Sequence, residues 1–325
     1  REEQMHAEGY CVPSGRFTES EWTLRSDVED ALFSRLLEIY SPLSENVDGM
    51  YYGLKTGYNP AFIADEDLVR CLLNSKDVHT EGFVHAVYGG QDIRSYHLRN
   101  RENSILVVPS GWTAKSCGSK DENIAWDFFS KENPALSAHL SSFKSPLMKR
   151  QDKGDFWWEL RPCDYYDVLQ REKIVFPDIC KNPRFYLDAN GGYILNTAYA
   201  IDSNDRYLLG FLNSRLFWWL IGQISIPFGV RAGQFRYRLI YQYMKQVPIR
   251  PIDFDNPDDV AKHDKMVTLV ERMLDLHKQK AGEGNPNTLK QLETQITATD
   301  HQIDRLVYEL YELTDEEVAL VEPSG

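Results

Sequence analysis

The chain has 325 residues, 42% of them hydrophobic and 12% aromatic, which is enough for one large core or two ordinary ones and excludes a disordered segment. Its formal net charge of -13 argues against a nucleic-acid binder when summed over the whole chain. Residues 139–250, however, hold 16 Lys/Arg against 10 Asp/Glu, and residues 251–325 hold 7 against 17, so a basic middle lies before an acidic end, as suits a local anion-binding face.

In chain order, Ser26 is placed to cap a helix from about Asp27 to Tyr40, with Val28, Leu32, Phe33, Leu36 and Leu37 at helical spacing. A mixed region rich in Gly, Pro and aromatics follows, from about Met50 to Pro251. Within it, residues 104–109, 173–176 and 192–201 read as strands. Asn133-Pro134 reads as the cap and first turn of a helix running to about Arg150. Residues 204–223 predict one buried helix with a bulky face of Leu208, Phe211, Leu212, Leu216, Trp219 and Leu220. Its Asn213, Arg215 and Gln223 argue against a membrane span.

Composition changes at Pro251. Asn256-Pro257 opens a helix to about Lys280, the run 281–286 breaks it, and the next helix carries Leu289, Leu292, Ile296, Thr299, Ile303, Leu306, Leu310 and Leu313 at 3–4 spacing. The short break predicts an antiparallel hairpin rather than an intermolecular coiled coil. Thr314 and Glu317 form a capping box for a last helix. The five cysteines are widely spaced and lack a Cys-x-x-Cys pair, which points to reduced thiols and a cytoplasmic setting, with neither a disulfide framework nor a structural zinc site. The chain begins with Arg1 and shows no signal peptide, which suggests a fragment.

No complete catalytic constellation is visible. Gly89-Gly90 and Gly191-Gly192 lack the strand–loop–helix context of a cofactor loop, and Asn59-Pro60-Ala61-Phe62 lacks the second proline of an amino-methyltransferase tetrapeptide, so it reads as a turn into a strand. Pro177-Asp178 with Lys181 is half of a metal-nuclease pattern, and the eight histidines are scattered.

Nucleic-acid chemistry has better support. In residues 231–238, an extended backbone puts Arg236 and Arg238 on one face and Phe235 and Tyr237 on the other. Arg231, Arg236 and Arg238 suit guanine edges and phosphates, and Gln234 suits adenine. Solvated arginines on an edge strand are the structural alternative. A second group, Lys144, Lys149, Arg150, Lys153 and Arg161, is interleaved with Phe156, Trp157, Trp158, Tyr165 and Tyr166; there the tryptophans read as core and the basic residues as a backbone-tracking rim.

Ordered motifs then carry a resemblance. Residues 51–63 (YYGLKTGYNPAFI) and 88–96 (YGGQDIRSY) are followed by Trp157-Trp158-Glu159-Leu160-Arg161, residues 173–179 (KIVFPDI), Asn196-Thr197-Ala198-Tyr199, residues 208–214 (LLGFLNS) and Gln246-Val247-Pro248-Ile249. Together they resemble the TaqI-like C-terminal specificity domain of restriction-modification enzymes and adenine-specific DNA methyltransferases, from Tyr51 onward.

The resemblance implies an α+β fold: a mixed target-recognition domain of short strands and helices at 51–250, a C-terminal α-helical hairpin at 251–325, and a helical linker at 1–50 from an absent catalytic domain. It implies sequence-specific binding of double-stranded DNA, with no cofactor in this chain and S-adenosylmethionine in an N-terminal methyltransferase domain. Individual base contacts do not carry over. The candidate DNA contacts, Lys149, Arg150, Arg231, Gln234, Arg236 and Arg238, therefore rest on local chemistry. The rival expectation is a non-catalytic interaction module of a DNA-defence complex, in which the acidic helices bind a protein.

Overall fold

A computed structural model describes residues 25–75, 77–99 and 103–322. The fold is α+β, with several small sheets and a C-terminal pair of long helices. Two compact units share the chain: one comprises the described parts of Arg1–Asn46, Lys181–Pro183 and Arg206–Gly325, the other Val47–Cys180 with Arg184–Asp205.

The sheet unit holds two four-stranded sheets. In the first, Lys173–Pro177 is wholly buried and lies between Tyr186–Asp188 and Ala198–Ile201, with Met50–Tyr52 at the edge, all antiparallel. Lys173 and Asp188 face each other in register and form a fully buried 2.6 Å ion pair. Asp188 also accepts from the backbone N–H groups of Asn190 and Gly192, which satisfies the lone pairs the cation leaves open. The second sheet runs Tyr193–Ile194, Val84–Tyr88, Ser104–Leu106, Ile63–Ala64, with a parallel pairing between the first two.

Sequence-predicted helices in this unit are shorter than periodicity suggests. The element expected from Pro134 to Arg150 is two helices, Pro134–Ser141 and Lys144–Lys149. Pro134 occupies the first turn, but the cap comes from elsewhere: the Asp77 carboxylate accepts from Ala135 N and Leu136 N, while Asn133 Oδ1 accepts from His79 N. Asn59–Phe62 forms one helical turn before the strand Ile63–Ala64. Trp157 and Trp158 are buried, Trp158 stacking on Phe156 at 4.6 Å. The expected strand over 192–201 is two strands in different sheets, with residues 195–197 carrying the chain from Tyr193–Ile194 in the second sheet to Ala198–Ile201 in the first.

The helical unit begins with Asp27–Ile39, capped by Ser26 and Glu29 as a reciprocal box. Leu32, Phe33 and Leu36 are buried, whereas Val28 and Leu37 stay exposed. The bulky segment is two helices, Arg206–Leu212 and Arg215–Ile224, because Ser214 accepts from Phe217 N and restarts the turn. A methyl group at Gly210 would meet Met266 Sδ at 2.5 Å, so this glycine lets the first helix sit against the long helix Pro257–Gly282. That helix packs against Pro286–Leu310, burying Met266, Leu269, Val270, Met273 and Leu276 on one and Leu292, Ile303, Leu306, Val307 and Leu310 on the other. Thr299 is the polar position of the seam, and its hydroxyl donates to Gln295 O at 2.8 Å. Thr314 and Glu317 cap the last helix, Asp315–Val321. Among the described residues no helix is long and apolar enough to cross a membrane.

Candidate nucleic-acid interface

The strands Pro227–Arg231 and Gln234–Arg238 pair antiparallel, with Arg231 opposite Gln234 and Val230 opposite Phe235. Ala232 and Gly233 connect them with φ of 53° and 75°, the two left-handed residues of a tight hairpin turn. Gly229 is also left-handed, at φ 79°, where the register shifts between Pro227 and Val230. The bulge and the turn both add right-handed twist.

Every residue from Ile226 to Phe235 is exposed. A buried strand hides alternate side chains, whereas this ribbon leaves Phe228, Val230 and Phe235 in solvent, at 47%, 57% and 55% exposure. Its base is anchored: Tyr237 packs edge-on against Trp218 at 5.4 Å, and Ser225 Oγ donates to Arg238 O at 3.0 Å. The result is an arm with a fixed root and an uncovered tip.

The arm's charge has one sign. Residues 226–238 contain three arginines and no acidic residue. The Arg236 and Arg238 guanidiniums both lie over the Phe228 ring, at 5.5 and 5.7 Å, which places them on one face as the alternation predicts. No ion pair to an acidic side chain uses Arg231 or Arg236 among the described residues. β-Strands can enter the major groove, where Arg matches the guanine edge and Gln the adenine edge. Arg231, Gln234, Arg236 and Arg238 are thus brought together on one element. Sequence reading missed Phe228 and Val230, although the alternation of residues 227–231 opposite the arginine run is the signal for the partner strand.

Lys149 and Arg150 lie in the other unit. Lys149 ends a short helix and is exposed, as are Lys144 and Lys153. Lys144 Nζ lies 5.5 Å over the Trp157 ring, and Lys153 Nζ donates to Met148 O at 3.1 Å. Arg161 faces Asp152 at 3.6 Å. Arg150 has to be corrected. It is 7% exposed, and its guanidinium donates to the carbonyls of Thr56, Trp157 and Glu159 while lying 4.5 Å over the Phe62 ring. Burial pushes its pKa down to about 10, which leaves it charged at neutral pH. Those contacts make it a cross-link between loops, with no donor directed outward for DNA.

The sequence profile of the TaqI-like C-terminal specificity domain matches residues 85–249, half of the chain. The chain belongs to the TaqI-like C-terminal specificity domain family. Among solved structures it is similar to the Type IIL restriction-modification enzyme MmeI in complex with DNA, with a TM-score of 0.58 and 14% identity. That match covers 86% of this chain and 35% of MmeI, so the chain spans about a third of that enzyme. No curated protein matches. The specificity-domain match takes in the whole hairpin arm as well as Lys149 and Arg150.

Proposed function

We propose that this chain recognises a specific double-stranded DNA sequence for a restriction-modification system. The observation that carries this reading is the uncovered hairpin arm, with Arg231, Gln234, Arg236 and Arg238 on one ribbon inside a specificity-domain match. A ribbon with a fixed root loses little conformational freedom on entering a groove, and its arginines meet no competing acidic partner on the arm. The exposed Phe228, Val230 and Phe235 supply apolar contact, for which thymine methyl groups and sugar edges are the available partners. Lys149, with Lys144 and Lys153, contributes phosphate contacts that position the protein without reading sequence.

The finer reading is that the chain serves as the specificity region of an N6-adenine DNA methyltransferase, which can also be fused to an endonuclease. A methyltransferase domain in the parent protein then supplies S-adenosylmethionine chemistry, and this chain selects where it acts. The family match supports the coarser part, DNA recognition within a restriction-modification system, and the methyltransferase part rests on the resemblance of the ordered motifs.

Selection from a random duplex library tests it. The wild-type chain enriches one short motif with affinity that falls steeply with salt, and Arg236→Ala loses the enrichment. Retention of no duplex even at low salt overturns the reading.

A further inference from the structure

Outside the hairpin arm, the sheet unit carries a second feature that suits recognition. A cavity of about 330 Å³ is lined by Asn59, Gln91, Asp92, Asn103, Asn196 and Thr197, with Ile63, Val87 and Leu195 as its apolar wall. Such a volume is at the small end of ligand sites, which run about 300–1,000 Å³.

Three sequence motifs meet at this recess, and glycines explain how. A methyl group on Gly53 would lie 2.0 Å from Leu195 O, and one on Gly90 would lie 2.2 Å from Thr197 O. Both glycines therefore admit residues 195–197 between their loops. The backbone then locks there: Leu195 N donates to Tyr88 O, Asn196 N to Leu54 O, and Asp178 N to Thr197 O. Thr197 Oγ1 accepts from Gly90 N at 2.9 Å, and Asp92 Oδ2 accepts from Gly89 N at 2.8 Å. A rigid frame thus holds side chains that are not themselves part of it. No hydrogen bond within the described residues uses the side-chain amides of Gln91, Asn103 or Asn196.

The chemistry of the lining selects the ligand. No Lys or Arg lines the recess, and Asp92 brings a carboxylate, so a phosphate is disfavoured. Side-chain amides present a donor and an acceptor side by side, the complement of a nucleobase edge, and the aliphatic wall suits a flat ring. We infer that this recess takes the polar edge of a single nucleobase, held by the amides of Gln91, Asn103 and Asn196. The inference deepens the proposed DNA recognition and rests on it: it adds a base-reading point in a different unit from the hairpin.

Two measurements on the full chain test it separately from DNA binding. In the first, each of the four deoxynucleosides is titrated while the side-chain NH2 resonances of Asn103 and Asn196 are followed. At least one deoxynucleoside shifts both signals saturably, and Asn196→Ala abolishes the effect on Asn103. No shift with any of the four, or an equal shift with deoxyribose alone, overturns the inference whatever the chain does with duplexes. In the second, Gln91→Ala and Asn196→Ala are carried through duplex selection beside Arg236→Ala. The recess variants lose preference by about tenfold at one base position that Arg236→Ala leaves intact, as expected for one lost bidentate contact. Unchanged preference at every position in both recess variants contradicts the inference, whereas absence of any enriched motif in the wild type contradicts the broader DNA reading instead.

Discussion

Lys149 projects into solvent, whereas the adjacent Arg150 commits its guanidinium to the carbonyls of Thr56, Trp157 and Glu159. Arg150→Ala takes the guanidinium donor from the carbonyls of Thr56 and Trp157, leaves Glu159 O with Gly154 N alone, and lowers stability by about 2–4 kcal/mol, read as a fall in the denaturant midpoint. Lys149→Ala stays within about 0.5 kcal/mol of wild type in the same assay. Basic character was legible in the sequence at both positions. The difference between them was not, because it is set by carbonyls that are distant along the chain or hidden by the turn at Trp157. A second residue-scale prediction concerns Asp304. Burial raises its carboxyl pKa to about 6 against the pull of the Arg215 backbone N–H at 2.9 Å and guanidinium at 3.2 Å, and Asp300, one turn earlier, raises it further. The folded state therefore holds this proton more tightly than the unfolded chain, whose aspartates titrate near ~3.9. The stability it contributes is present below about pH 4 and is lost as pH rises through 6. Asp304→Asn keeps the acceptor for Arg215 N and flattens that slope; denaturant midpoints across the window that fall equally in both proteins contradict the assignment.

At the scale of elements, the hairpin turn carries a local conflict. Ala232 adopts φ 53°, where the Cβ of an L residue crowds the following carbonyl oxygen at a cost of about 1 kcal/mol, and Asn-Gly is the pair such turns prefer. Ala232→Asn therefore slows hydrogen exchange of the Arg231 and Gln234 amides; unchanged exchange means the turn is not the weak point of the arm. Three helix starts were legible: Ser26, Asn256 before Pro257, and Thr314 with Glu317 all cap where residue type and spacing place them, whereas the equally local caps Asp65 and Asp121 were missed because the short helices they open lack a long apolar period. Breaks inside long apolar stretches were not legible. Periodicity continues from Arg206 to Ile224, yet Ser214 stops one helix and caps the next, and the helix after Pro134 is capped by Asp77 from a distant loop. In the long pair, Leu306 is buried against its neighbour, and Leu306→Ala costs about 2–5 kcal/mol in unfolding free energy.

At the scale of the whole molecule, a net charge of -13 hides the property that matters, since the arginines of the hairpin arm have no acidic residue among them. The change in composition at Pro251 marks where the long helices begin. It does not mark where packing ends, because Gly210 closes directly onto Met266 and Val270. The arm's alternating faces were readable from residues 231–238, whereas its complete exposure was not, since alternation ordinarily signals one buried face. The recess around Gln91, Asn103 and Asn196 was invisible as a site because its parts come from three separate segments, although two of them lie within motif strings. The most direct test of the central claim compares Arg236→Ala with Lys149→Ala on the selected duplex and on a scrambled duplex of equal length, at several salt concentrations. Lys149→Ala weakens both duplexes alike and reduces the salt slope by about 1, whereas Arg236→Ala collapses the ratio between them by about tenfold or more. Equal weakening of both duplexes by Arg236→Ala would contradict base reading by the hairpin arm.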